Sequence, residues 1–153
     1  MPSKPLRLST KRLAILLSAL VPAAGFALDF QSVAPNAAIL YAAPSPDAKK
    51  LYVVGRATPF EVMSVSGDWA RVRDRDGSLG WIEKRALSAK RTVVVNVSRA
   101  SIRAKADDNA PVLAETGRDL LLELVEAPAN GWAKVRHRDG VVGYIPLKDI
   151  WGL

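Results

Sequence analysis

The chain has 153 residues, with 22 Lys and Arg against 15 Asp and Glu, one His and no Cys, and a formal net charge of +7. Its 49% hydrophobic composition excludes disorder throughout, and its length allows one or two small domains. Without cysteine there is no disulfide framework, thiolate zinc site, iron–sulfur cluster, c-type haem attachment or lipoprotein anchor, and one histidine excludes a His-pair metal site.

In chain order the first element is a leader. Residues 1–27 read as a secretory signal peptide: Lys4, Arg7, Lys11 and Arg12 precede an apolar core of 9 residues, Leu13–Val21, which Pro22 ends. Gly25-Phe26-Ala27 has the small-x-small form that a signal peptidase accepts, so cleavage is expected after Ala27 and the product in the periplasm or secreted. A membrane anchor is the competing reading. The longest apolar run, Leu13–Leu28, has 16 residues and holds Ser18, Pro22 and Gly25, whereas a span needs about 20 apolar residues. No stable membrane anchor is therefore expected after cleavage. The leader takes four of the 22 basic residues and no acid, leaving 18 against 15 and a net of +3. Most of the case for a nucleic-acid partner leaves with it.

The remainder reads as strands, twice over. Pro35, Asn36, Pro44, Ser45, Pro46 and Asp47 mark long early loops around Leu40-Tyr41, and Pro59–Val65 is a strand-like run. Trp69–Arg73 alternates with period 2, Asp76-Gly77 signals a hairpin, and Gly80 falls inside the next strand, where a bulge or close backbone approach is expected. After a short polar joint, Ser88–Arg91, the pattern returns. Asp107, Asp108 and Pro111 mark a loop, Leu120–Val125 a strand, Trp132–Arg136 the alternating strand, Asp139-Gly140 the hairpin and Gly143 the strand glycine. Trp69–Arg73, Arg75-Asp76-Gly77 and Gly80-Trp81-Ile82 answer to Trp132–Arg136, Arg138-Asp139-Gly140 and Gly143-Tyr144-Ile145 at an offset of 63. Upstream the offset is 62, through Gly55-Arg56 and Gly117-Arg118, Glu61 and Glu123, and Leu40 and Ile102, so one residue is inserted in Ala127–Gly131. Outside the leader no segment holds a helical period. The expected fold is all-β: two tandem small β-barrels, 28–89 and 90–153, lying close together because the joint is short.

The pattern of Gly or Asp, Trp, a basic residue, Val, Arg, then Asp-Gly and Gly-[Trp/Tyr]-Ile resembles the bacterial SH3 (SH3b) domain. The likeness is strongest in the second half of each repeat, and Gly143-Tyr144-Ile145-Pro146 resembles the last-strand motif of peptide-binding SH3 domains. A leader, two such repeats and a terminal Trp-Gly-Leu together resemble small exported proteins of Gram-negative bacteria. The resemblance implies barrels of five or six strands, no intrinsic catalysis, and roles in cell-wall or peptide recognition. Against the peptide-binding pattern, the first-loop aromatic pair is reduced to Tyr41, its counterpart is Arg103, and Asp149 stands near the place of the final Tyr.

Candidate binding residues follow from strand phase. If Ala70, Val72, Ala133 and Val135 face inward, Trp69 and Trp132 share the outer face with Arg71, Arg73, Lys134 and Arg136. An outward Trp beside Arg stacks on sugars, prolines or aromatics. The competing reading has each Trp covering a barrel end or the domain interface, and the basic residues on an ordinary solvated face. Trp81, Tyr144, Tyr41 and Pro146 complete the set, with repeat two expected to dominate peptide-like binding because it keeps Pro146. His137 reads as a solvated loop residue. No nucleophile–base arrangement, phosphate loop or metal-ligand spacing is found, so no catalytic residue, metal or cofactor is expected. The function expected is a non-enzymatic recognition module whose partner is an envelope protein, a peptide or a peptidoglycan fragment. The alternative is a structural subunit of an envelope complex, its aromatic faces buried by a partner protein.

Overall fold

The computed structural model describes residue 1 and residues 29–153; the expected leader and its cleavage site fall on residues outside that range. The first sheet is built from β1 (Asp29–Val33), β2 (Ala37–Tyr41), β3 (Lys50–Gly55), β4 (Pro59–Ser66), β5 (Trp69–Arg73), β6 (Leu79–Glu83) and β7 (Leu87–Ser88). The second holds β8 (Thr92–Val95), β9 (Ala100–Arg103), β10 (Val112–Thr116), β11 (Leu121–Leu124), β12 (Trp132–Arg136), β13 (Val142–Pro146) and β14 (Ile150–Trp151). The strand orders correspond one to one: β3-β2-β6-β5-β4-β1-β7 and β10-β9-β13-β12-β11-β8-β14. A 3-10 turn, Lys84–Ala86 or Leu147–Asp149, leads into the last strand of each. The fold is all-β, and the repeat seen in the sequence is a repeat of topology.

Chain connectivity curls each sheet. β1 and β2 stand four places apart in the sheet order, about 19 Å in a flat sheet. Only residues 34–36 join them, a reach of about 15 Å at most. The sheet must bend back on itself, and its inner face becomes one core of Val33, Leu40, Phe60, Val72 and Ile82. The second core gathers Val95, Ile102, Leu122, Val135 and Ile145 in the same way. Val72, Ile82, Val135 and Ile145 are fully buried. Each such side chain contributes about 1.5–3 kcal/mol of transfer free energy.

Details depart from the expectation. Each sheet has seven strands rather than five or six, because β1 or β8 adds beside β4 or β11 and a two-residue strand pairs beyond it. Strand β11 has four residues where β4 has eight. The inserted residue and Pro128, which has no N–H to give, end the β11 ladder early. Gly80 and Gly143 sit in unbulged registers and answer to close packing instead. A Cβ on Gly143 would lie 2.5 Å from the Arg103 carbonyl oxygen, and one on Gly80 would lie 2.7 Å from Leu40 Cδ2.

The barrels are docked, and β1 and β8 do the docking. Val93 and Val95 of β8 enter their own core, while Thr92 and Val94 are also buried. The Thr92 hydroxyl donates to the Ala57 carbonyl at 2.7 Å. From β1, Ser32 donates to the Lys90 carbonyl, and the Phe30 ring meets Trp151 edge-on at 5.0 Å. The Arg91 guanidinium lies 5.6 Å from the Phe30 centroid and donates to the Gly152 carbonyl at 3.0 Å. Trp151 and Gly152 are thus part of the contact between the barrels.

Candidate functional site

Pairing of β5 with β6 puts Ala70 opposite Ile82 and Val72 opposite Gly80 on the inner face. The intervening residues form an outer face, with Trp69 opposite Glu83, Arg71 opposite Trp81 and Arg73 opposite Leu79. Strand β2 adds Tyr41 opposite Trp81. Tyr41 is only 7% exposed and meets Trp69 edge-on, with centroids 5.2 Å apart and planes at 87°. Such a pair is worth about 0.5–1.5 kcal/mol beyond its burial and fixes both rings. Trp69 and Trp81 remain half-buried, and Arg71 is exposed beside Trp81.

Arg73 has a different task. Its Nε donates to Glu61 Oε2 at 2.7 Å and its Nη2 to the same oxygen, while Glu61 is 4% exposed. This guanidinium neutralises a buried carboxylate and is not free for a ligand.

In the second barrel Trp132 stands opposite Pro146 and Lys134 opposite Tyr144, with Arg103 on the far side of Tyr144. All of these are half-buried. Lys134 Nζ lies 5.9 Å from the Tyr144 ring centroid and 3.5 Å from Glu126 Oε2. Arg103 replaces Tyr41 but donates to the Ala110 carbonyl at 2.8 Å. Arg136, at the end of β12, is 3.4 Å from Glu123 Oε1 and lines a cleft between the barrels.

Apart from Arg73 and Arg136, the predicted residues form two outer faces, one on each barrel, and neither Trp69 nor Trp132 lines a cleft between the barrels. Beside Tyr41 the first face opens into a cleft of about 610 Å³, lined by Pro35, Ile39, Tyr41, Glu83 and Arg85 among others. Arg85 pairs with Glu83, which holds the guanidinium above its ordinary value. Sequence reasoning missed Ile39, Glu83 and Arg85. A Glu-x-Arg pair directly after the Gly-Trp-Ile strand was the available signal.

His137 is not solvated. Its side chain is 16% exposed, and Nδ1 accepts the Asp139 backbone N–H at 3.2 Å, closing the β12–β13 turn. Asp74 closes the β5–β6 turn in the same way, accepting from the N–H groups of Asp76 and Ser78 at 3.0 and 2.8 Å. Among the described residues no group of three or more His, Asp or Glu side chains is placed to hold a metal ion.

A family model described as bacterial SH3 domain matches the chain twice, over residues 34–89 and 96–152. No curated protein matches it. Among solved structures, NlpC1 from Trichomonas vaginalis is 20% identical with a TM-score of 0.39, over 90% of this chain and 50% of that one. NlpC2 from the same organism is 16% identical with a TM-score of 0.38, over 82% and 48%. An NlpC/P60 family protein from Bacillus cereus ATCC 10987 is 15% identical with a TM-score of 0.36, over 80% and 55%. The chain spans about half the length of these solved chains.

Proposed function

The chain belongs to the bacterial SH3 domain family, and from that premise we propose that it is an exported, non-enzymatic recognition module of the cell envelope. It binds a peptide, a protein or a peptidoglycan fragment through the outer aromatic face of its first barrel. One observation carries this reading: Tyr41, Trp69 and Trp81 share an outer face whose Tyr41 edge borders an apolar-walled cleft, on the side away from the barrel–barrel contact. A rigid aromatic pair costs little conformational entropy on binding, and Trp beside Arg is the composition of binding hot spots. Glu83 and Arg85 at the rim supply one acceptor and one donor to orient a polar ligand. The Trp132–Pro146 face of the second barrel, expected from Pro146 to dominate, is here proposed as the weaker companion, because Arg103 stands where the first barrel has Tyr41.

The test is a paired titration and melting curve with purified peptidoglycan fragments and envelope extract. Trp69→Ala is expected to weaken capture about thirtyfold, a hot-spot loss of about 2 kcal/mol. Its melting point should fall only by the loss of the Tyr41 contact. Trp132→Ala should weaken capture less. Normal capture by both variants would remove the aromatic-face reading.

A further inference from the structure

Two clefts lie between the barrels, and they are copies of one another with the barrels exchanged. The first, of about 240 Å³, is lined by Pro59, Phe60, Asp74 and Arg75 of one barrel and by Asp119 and Trp151 of the other. The second, of about 440 Å³, is lined by Leu121, Leu122, His137 and Arg138, and by Ala57 and Ser88. At the repeat offsets of 62 and 63 these are the same positions, so an approximate two-fold relation joins the clefts.

Their contents differ in charge and bulk. In the smaller cleft Arg75 pairs with the Asp119 carboxylate, and that hydrogen bond holds the guanidinium above its ordinary value. Asp74 and Asp76 stand beside it, and Trp151 fills space. In the larger cleft Arg138 keeps the place of Arg75, but Ala57 replaces Asp119, His137 replaces Asp74 and Ser88 replaces Trp151. Two carboxylates and one indole are gone, while the one cation of the smaller cleft, Arg75, is kept as Arg138 and Arg56, Lys90 and Arg136 are added. His137 still closes its turn through Nδ1, so the turn survives the loss of the Asp74 carboxylate.

The remaining charges are accounted for one by one. Glu123 is shared by Lys90 at 3.0 Å and Arg136 at 3.4 Å. Asp139 keeps the carboxylate of Asp76 but lies 3.8 Å from Arg138 Nε and is not part of the cleft wall. Arg56, also lining the cleft, has no carboxylate partner among the described residues. Four cations thus face one carboxylate across an open cleft, with Arg138 84% exposed.

We propose that the larger cleft is a binding site for a dicarboxylate, one carboxylate of which takes the place that Asp119 occupies in the smaller cleft and meets Arg138, while the other meets Arg56. Charge-assisted, two-point pairing of guanidinium with carboxylate supplies both affinity and orientation. The site is separate from the aromatic face and does not depend on it.

The experiment titrates the full chain by calorimetry at constant ionic strength with glutarate, with its neutral analogue glutaramide, and with a peptide carrying two adjacent glutamates. Glutarate or the peptide should bind saturably and glutaramide should not. Binding of the peptide alone would identify a peptide as the source of the two carboxylates. Arg138→Gln should weaken binding at least about tenfold. Ala57→Asp should abolish binding while keeping the fold, because φ is 68° at Ala57 and 71° at Asp119, where Asp is already accommodated. Trp69→Ala should bind as the parent does, which separates this site from the aromatic face. Failure of both acidic probes to bind, or binding untouched by Ala57→Asp and Arg138→Gln, would overturn the proposal.

Discussion

Two single positions are set by their surroundings. Gly143 and Gly80 are equivalent in the repeat, yet a methyl group meets different atoms at each. At Gly143 it would strike the Arg103 carbonyl oxygen, part of the β9 backbone; at Gly80 it would strike the end of the Leu40 side chain, itself fully buried. Overpacking costs about 1–3 kcal/mol. Gly143→Ala should fall at the top of that range and Gly80→Ala lower, read as a difference in urea midpoints. Tyr52 is the second position. Burial first, then its 2.8 Å hydrogen bond to Asp74 Oδ2 and the charges of Asp74 and Asp76, raise its phenol above the ordinary value. The folded chain therefore keeps this proton above pH about 10, where the unfolded chain loses it. The contribution is present in full below about pH 10 and falls as pH rises beyond it. Urea midpoints at pH 9 and 11 should show a smaller alkaline loss for Tyr52→Phe than for the parent.

At the scale of strands, the β4–β5 pair carries a buried charge. Glu61 and Arg73 face each other in register, and the carboxylate is buried with the guanidinium as its partner. Arg73→Ala should cost about 1–3 kcal/mol by stranding that charge, whereas Arg71→Ala, on an exposed neighbour of the same face, should be near neutral. Equal midpoints for the two variants would contradict this division. The same two strands show what the sequence made legible. Strict alternation over Trp69–Arg73 and Trp132–Arg136 fixed both boundaries and the inner phase of Val72 and Val135, because one face is apolar and the other is not. What alternation could not convey was β8. Thr92–Val95 is a continuous run buried on both faces, one against its own core and one against the first barrel. A one-sided reading has no place for such a strand. The division of the arginines was hidden for a similar reason. Arg71, Arg73 and Arg136 have the same strand phase, yet Arg71 is exposed, Arg73 meets the buried Glu61, and Arg136 meets the equivalent Glu123, which is part-exposed and lines the inter-barrel cleft.

At the scale of the molecule, the question is whether two barrels behave as one. A joint that acts only as a tether would let them unfold separately. Here Phe30 and Trp151 meet edge-on, Arg91 bridges Phe30 and the Gly152 carbonyl, Thr92 donates to Ala57, and Arg75 pairs with Asp119. Gly152 is held at φ 117°, and a Cβ there would lie 2.8 Å from the Thr92 carbonyl oxygen and 3.3 Å from Pro59 Cβ of the other barrel. The contact is tight as well as polar, so unfolding either barrel exposes the partner's Phe30 or Trp151. One cooperative transition is therefore expected in scanning calorimetry, with calorimetric and van't Hoff enthalpies equal. Phe30→Ala and Trp151→Ala should each lower and broaden it. Because the rings touch, their effects should fail to add by about 0.5–3 kcal/mol in a double-mutant cycle. Trp69→Ala, which lies outside the contact, should lower the midpoint of a transition that stays single. Two resolved transitions in the parent, or additive losses at Phe30 and Trp151, would show that the barrels are merely tethered.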